Sequence, residues 1–155
     1  MKTTTTTTLP PRLIITSSLL YTLQVLIAGI LCGTVRVPLL EPLLGERTAQ
    51  LLEMPIMGMV ILRSARAIVK RVVAEMKMGA TRLKPGVVSI GKGDWLIIGV
   101  LSLFWLLVVE IGVYAWIHRG EGMGWQGWIW DRDPVAGLVF FGMLGVFALF
   151  PAVIE

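Results

Sequence analysis

Residues 95–117 read WLIIGVLSLFWLLVVEIGVYAWI, and this stretch decides the class of fold. Glu110 is the one charged residue among its 23 positions. As an α-helix the stretch would be about 34 Å long, and the hydrocarbon core of a bilayer is only about 30 Å thick. Trp95 and Trp116 lie near its two ends, where membrane helices commonly place aromatic residues. The stretch therefore predicts a membrane-spanning helix.

Three further segments have the length and composition of membrane spans. Two of them contain no charged residue, and the last opens with Pro134, which suits the first position of a helix. The remaining span is weaker because Glu53, Arg63 and Arg66 interrupt it, and Pro55 either begins its helix or kinks it. We therefore predict an all-α, four-helix transmembrane bundle. Its spans are residues 13–35, 48–69, 95–117 and 134–151, within a single membrane domain of residues 13–155.

The composition of the whole chain agrees with a multi-pass integral membrane protein. Of 155 residues, 55% are hydrophobic and 15% are charged, whereas a soluble domain carries about 25% charged residues. The chain has one cysteine, Cys32, and one histidine, His118, which excludes an intrachain disulfide, a structural zinc site and bis-histidine haem ligation. No nucleotide-binding or hydrolase motif is present, so we expect no cofactor.

The connecting segments carry their own predictions. Residues 1–12, MKTTTTTTLPPR, indicate a disordered tail, with a targeting segment as the second interpretation. Prolines and a glycine in residues 36–47 indicate an irregular connection. Residues 78–94 are predicted to form a loop, and Asp94 at its end could cap the next helix. Residues 118–133 form a tryptophan-rich loop, interpreted as a headgroup anchor or as a lid on a binding cavity. Its tryptophans are Trp125, Trp128 and Trp130.

The distribution of lysine and arginine predicts the orientation. Of 14 basic residues, ten lie in the amino-terminal tail and residues 63–92, and four lie in the other two connections. The positive-inside rule then places both termini on the cytoplasmic-equivalent side. Four of five bases cluster on one face of an amphipathic helix, and we expect all five to contact lipid headgroups rather than nucleic acid. They are Arg63, Arg66, Lys70, Arg71 and Lys77.

This topology would bring charges from all four helices to the outer third of the bundle. The predicted intramembrane charged cluster comprises Arg36, Glu53, Glu110, Arg132 and Asp133. A lone buried carboxylate is costly, so we expect Glu110 to be paired with an arginine or protonated. One interpretation is a structural ion-pair cluster that fixes helix register. The other is a site for a proton or a ligand.

Several small and sulfur-containing residues are interpreted as helix-packing residues rather than as redox or metal-binding sites. Gly29 and Gly33 form a GxxxG pattern for helix contact within the chain or in a dimer. The last span carries a predicted packing face of Gly137, Gly142, Gly145 and Ala148. Cys32 and the group Met54, Met57 and Met59 are interpreted as packing residues, and His118 as an interfacial one.

Two stretches resemble a known family. TVRVPLLEPLLGERTAQLLEMPIM, residues 34–57, and RDPVAGLVFFGMLGVFALFP, residues 132–151, are similar to small four-helix integral membrane proteins of bacteria and some lower eukaryotes. That family carries no known activity, so the resemblance implies an architecture and not a function.

Three classes of function remain. The first is a non-catalytic membrane protein or accessory subunit, with the lipid bilayer and a homodimer or larger membrane complex as its partners. The second is a small proton-coupled transporter or channel that uses Glu110 and Glu53. The third is a membrane enzyme acting on lipid headgroups through Glu53, Glu110 and Asp133, although no nucleophile or metal-ligand spacing supports it.

Overall fold

The computed structural model describes residues 9–80, 90–119 and 134–154, and these ranges are helical apart from short connections. The all-α prediction is confirmed. The elements are α1 (Pro11–Val35), a π-helical segment (Arg36–Leu40), α2 (Glu41–Leu44), α3 (Glu46–Ala80), α4 (Lys92–Ile117) and α5 (Pro134–Val153). Predictions for the threonine run, most of the 78–94 loop, the tryptophan-rich loop, Arg132 and Asp133 lie outside the described residues.

The four long helices form a closed ring in cross-section. Helix α1 packs against α3 and α4, and α5 packs against the same two, so α1 and α5 lie diagonally opposite. Helices α1 and α4 begin at the same end, because the Leu9 amide donates a hydrogen bond to Asp94 Oδ2 at 3.1 Å. Leu9 is almost fully buried, so residues 9–12 of the predicted tail belong to the described fold.

Three helical stretches of the described chain are long and apolar enough to cross a membrane. They are Pro11–Leu44, Lys92–Ile117 and Pro134–Val153. In the isolated chain, most of the apolar part of each stretch is exposed, and only 22% to 33% of it is buried. Exposed apolar surface on this scale is what a lipid-facing helix presents. Helix α3 is not among the three.

Helix α3 is one continuous amphipathic helix. At 35 residues it is about 52 Å long. The spacing of Ala65, Ile68, Val69, Val72 and Met76 predicts one apolar face. Ala65, Ile68 and Val72 are buried, Val69 and Met76 are half-buried, and Ile61 extends the buried face by one turn. Pro55 lies inside the helix and therefore does not begin it. The five basic residues predicted to contact lipid are all exposed.

The segment 36–47 differs from the predicted irregular connection, because helical structure continues to Leu44. The Glu41 amide donates to the Arg36 carbonyl five residues earlier, the wide turn of a π-helix, and Pro38 lies within that segment. A widened turn accommodates the ring of a proline and its missing amide. Gly45 then ends α2 with φ +78°, a backbone conformation that favours glycine.

Two predicted helix ends also differ. Asp94 does not cap α4, which begins at Lys92, because its carboxylate accepts the Leu9 amide instead. Helix α5 continues past Pro151 to Val153. A proline cannot donate to the carbonyl four residues earlier, which is that of Phe147. The Tyr21 hydroxyl donates to this oxygen at 3.1 Å, and its ring stacks on Phe147 with centroids 4.4 Å apart.

Helices α4 and α5 approach most closely at Gly99. A Cβ atom placed on Gly99 would overlap the carbonyl oxygen of Ala148, so the two backbones are in direct contact. On α5, Gly137 and Ala148 are buried as predicted for the packing face. Gly142 and Gly145 are exposed and have open space beside them, so that part of the prediction is wrong.

Buried hydroxyl groups connect α1 to α4, about one helical turn from Gly99. Thr22 Oγ1 lies 2.9 Å from the carbonyl oxygens of both Ser18 and Ser102. Ser102 Oγ lies 2.7 Å from the Ile98 carbonyl and 3.1 Å from that of Ser18. Each hydroxyl has an acceptor on its own helix and one across the interface, so these polar groups are satisfied inside an apolar bundle.

Candidate functional site

A cavity of about 610 Å³ lies between the four long helices, toward the end where α1 finishes and α3 begins. Its volume falls in the range typical of small-molecule sites, roughly 300–1,000 Å³. Each of α1, α3, α4 and α5 contributes to its wall, and most lining residues are apolar. The polar lining residues are Arg36, Gln50, Glu53, Glu110 and Tyr114. The cavity therefore combines an apolar wall with a few charged groups.

Arg36 is the centre of the charge arrangement at this end. Its Nη1 atom lies 2.7 Å from Glu53 Oε2, and its Nε atom lies 3.2 Å from Glu41 Oε1. The Glu53 side chain is 11% exposed and the Arg36 side chain 25%, so the shorter pair is largely shielded from solvent. The π-helical segment places Arg36 and Glu41 on one side of the chain, five residues apart, and α3 supplies Glu53.

Three of the five residues of the predicted charged cluster line this one cavity: Arg36, Glu53 and Glu110. Glu110 is half-buried on α4, within a stretch otherwise free of charged residues. Arg132 and Asp133 lie outside the described residues, so their place in the cluster stays a prediction. Arg36 forms ion pairs with Glu41 and Glu53.

Sequence reasoning missed three polar residues at this end, which are Glu41, Gln50 and Tyr114. Glu41 was missed because the prolines and the glycine of residues 36–47 indicate an irregular connection. In such a connection, the spacing of five residues between Arg36 and Glu41 does not predict that the two side chains meet. Gln50 lies three residues before Glu53, which is one helical turn, and this spacing could have found it. The Gln50 amide donates to Glu46 at 3.1 Å and thereby orients its side chain at the cavity edge.

Aromatic and methionine side chains form much of the remaining wall. Tyr114, Phe140 and Phe147 supply rings from α4 and α5. Met54 and Met57 line the cavity from α3, so two of the three methionines predicted to fill gaps face this space. Met59 is 58% exposed and does not pack inside the described bundle. Thioethers and rings adapt their contacts readily, which suits a wall around a ligand of irregular shape.

Two further candidates, His118 and Cys32, do not line the cavity. His118 follows the end of α4, where its Nδ1 lies 3.0 Å from the Tyr114 carbonyl oxygen and its ring stacks on Tyr114. Cys32 is a half-buried free thiol near the end of α1. Gly33 has open space beside it, whereas Gly29 faces the Met57 methyl group at an ordinary contact distance. Within the described ranges, no three His, Cys, Asp or Glu side chains come together as metal ligands.

Comparisons of the chain with protein-family models, with curated proteins and with solved structures returned no match. The resemblance of residues 34–57 and 132–151 to a membrane-protein family therefore stays a prediction. Function has to be argued from the bundle and its cavity.

Proposed function

We propose that this protein is a non-catalytic multi-pass membrane protein that binds a small amphipathic ligand between its helices. The observation that carries the proposal is the cavity of about 610 Å³, whose wall is mainly apolar and carries Arg36, Glu53 and Glu110. A ligand with an apolar body and one polar group would match both parts of this wall. The described residues supply no paired nucleophile and base, so binding rather than conversion is the simpler use of the site.

We further propose four membrane spans, with α3 as the fourth and both termini on the cytoplasmic-equivalent side. Two observations support this arrangement. Helices α1 and α4 begin at one end of the bundle, and α3 packs against both α1 and α5. The exposed bases at the far end of α3 would then lie at headgroup level on the side of the amino terminus, where positive charge is favoured.

Cysteine labelling of the two ends of α3 tests the topology. In a Cys32→Ala background, Thr48→Cys and Lys77→Cys place one thiol near each end of the helix, at positions that are both exposed. A membrane-impermeant maleimide should label Thr48→Cys from the outside of intact cells and Lys77→Cys only after permeabilisation. Labelling of both positions from the same side would contradict α3 as a span.

Filling the cavity tests ligand binding. Gly29→Leu adds a side chain to a lining position, and Gly33→Leu adds the same side chain one turn later at a position with open space. An environment-sensitive fluorescent amphiphile should bind saturably to the wild-type protein and to Gly33→Leu, and several-fold more weakly to Gly29→Leu. Equal binding to all three proteins would show that the probe only partitions into the surrounding detergent.

A second candidate is proton-coupled transport through the same cavity. The observation that favours it is that two acids, Glu53 and Glu110, line one space together. Carboxylates inside a membrane bundle are the usual carriers of coupled protons. Proteoliposomes with an imposed pH gradient should show ligand flux that Glu110→Gln abolishes. Flux unchanged in Glu110→Gln would remove this candidate and leave the binding proposal standing.

A further inference from the structure

We infer that the cavity takes an acyl chain of a membrane lipid, which enters sideways between α1 and α4. The inference rests on the proposed function of the cavity and on the proposed membrane spans. Four lining residues are between 37% and 63% exposed, and all of them lie on α1 or α4: Ile30, Val109, Val113 and Ile117. The lining residues of α3 and α5 are buried or half-buried. The cavity therefore opens on the side of α1 and α4.

The opening begins where the close contact between α1 and α4 ends. Thr22 donates to the Ser102 carbonyl across the interface, and Val25 and Leu106 are buried one turn further along the two helices. Beyond that turn, exposed apolar lining residues follow on both helices. Both helices belong to stretches that are long and apolar enough to cross a membrane. An opening between two such spans faces hydrocarbon rather than water.

The cavity is about as deep as one leaflet of a bilayer. Its lining extends from Val25 to Arg36 after α1 and from Leu106 to Ile117 on α4, and each pair is eleven residues apart. Eleven helical residues rise about 16 Å, and half of a hydrocarbon core of about 30 Å is about 15 Å. A chain with its headgroup at the Arg36 end therefore matches the depth of the lining.

The position and the wall of the opening favour a lipid over a water-soluble ligand. A molecule that passes an opening into hydrocarbon must first dissolve in the bilayer, and the lipids are already there. Met54, Met57 and Met143 line the cavity with flexible thioethers, which adapt to a flexible chain. The polar part of the lipid then lies nearest the ion pair of Arg36 and Glu53, and its chain stays among apolar side chains.

A photoreactive lipid tests the inference on the full chain in phosphatidylcholine vesicles. The probe is a phosphatidylcholine with a diazirine midway along one acyl chain, and mass spectrometry identifies the cross-linked residues. Ile61 and Leu144 line the cavity from α3 and α5 and are buried, so cross-links to them report a chain inside the bundle. Leu138 is 75% exposed and reports lipid at the outer surface. We expect cross-links to all three residues.

The outcomes separate the inference from the proposed function. Cross-links to Leu138 without any to Ile61 or Leu144 would overturn the lipid inference. Saturable binding of the fluorescent amphiphile that Gly29→Leu weakens would still support the proposed function in that case. Gly29→Leu should also reduce the interior cross-links several-fold, whereas Gly33→Leu, which adds the same side chain beside open space, should leave them unchanged. Equal interior cross-links in these two variants would overturn the placement of the chain in the cavity.

A second pair of variants tests the entrance. Val113→Trp places an indole at the opening and should reduce the interior cross-links several-fold, and Ile30→Trp does the same from α1 should the first variant fail to fold. Val100→Trp is the control, because Val100 is exposed on α4 and does not line the cavity. Equal interior cross-links in the control and in both opening variants would overturn entry between α1 and α4. Disulfide-linked dimers of Ile30→Cys in the Cys32→Ala background would show instead that a second copy of the chain covers the opening.

Discussion

The two halves of the bundle are packed in opposite ways. In the closed half, around Tyr21, Gly99 and Ala148, backbones touch and each buried hydroxyl has an acceptor. In the open half, around Arg36 and Glu110, the same four helices line a cavity of about 610 Å³ with charged groups on its wall. Small residues allow the first arrangement, and methionine, aromatic and charged side chains allow the second. The comparison teaches that tight backbone packing and a cavity can occupy different levels of one set of helices.

The largest expected loss of stability follows from disrupting the contact between Gly99 and the Ala148 backbone in the closed half. Gly99→Leu would force α4 and α5 apart, because even a Cβ atom at this position overlaps the Ala148 carbonyl. We expect a loss of about 3 kcal/mol or more in the free energy of unfolding, measured in mixed micelles with increasing denaturing detergent. Gly112→Leu is the matched control on the same helix, because nothing lies within 4 Å of its Cβ position. Similar losses in both variants would mean that the contact is not what limits stability.

A smaller loss of stability is expected when the Tyr21 hydroxyl is removed, which donates to the carbonyl that Pro151 leaves without a backbone donor. Tyr21→Phe keeps the stacked ring but leaves the Phe147 carbonyl without its donor, which should cost about 1–2 kcal/mol. Pro151→Ala restores a backbone amide that can reach this carbonyl. A double-mutant cycle should therefore show that Tyr21→Phe costs less in the Pro151→Ala background. Strict additivity would show that the hydroxyl and the proline are independent.

The smallest expected effects concern ion pairs. Arg36→Gln removes two largely shielded contacts in the open half and should cost about 1 kcal/mol. Arg71→Gln removes one pair with Glu75 on the exposed surface of α3, which should cost no more than about 0.5 kcal/mol. The two variants lose the same charge, so their unfolding midpoints can be compared directly. A larger effect for Arg71→Gln would reverse the expected order.

The main helices could be predicted because their evidence is local. Long apolar runs predict α1, α4 and α5, and the spacing of Ala65, Ile68 and Val72 predicts the buried face of α3. The π-helical segment could not be predicted, because Pro38 and Pro42 have the same pattern in a loop as in a widened helical turn. Helix α3 stays a predicted span, because its charged residues make it less apolar than the three helical stretches that are apolar enough to cross a membrane.

The candidate site was predictable only in part, because its geometry depends on long-range contacts. A topology argument was enough to group Arg36, Glu53 and Glu110, which do line one cavity. Composition could not distinguish Gly99, which touches a neighbouring backbone, from Gly142 and Gly145, which do not. Nor does any local pattern connect Tyr21 to a carbonyl 126 residues away.

That last contact has a consequence for biosynthesis. Thr22 has an acceptor on its own helix, so its hydroxyl is satisfied as soon as α1 forms. The acceptor of Tyr21 is Phe147, which is synthesised 126 residues later. The Tyr21 hydroxyl can therefore reach this acceptor only after α5 has been made, and the same contact covers the carbonyl that Pro151 leaves without a backbone donor.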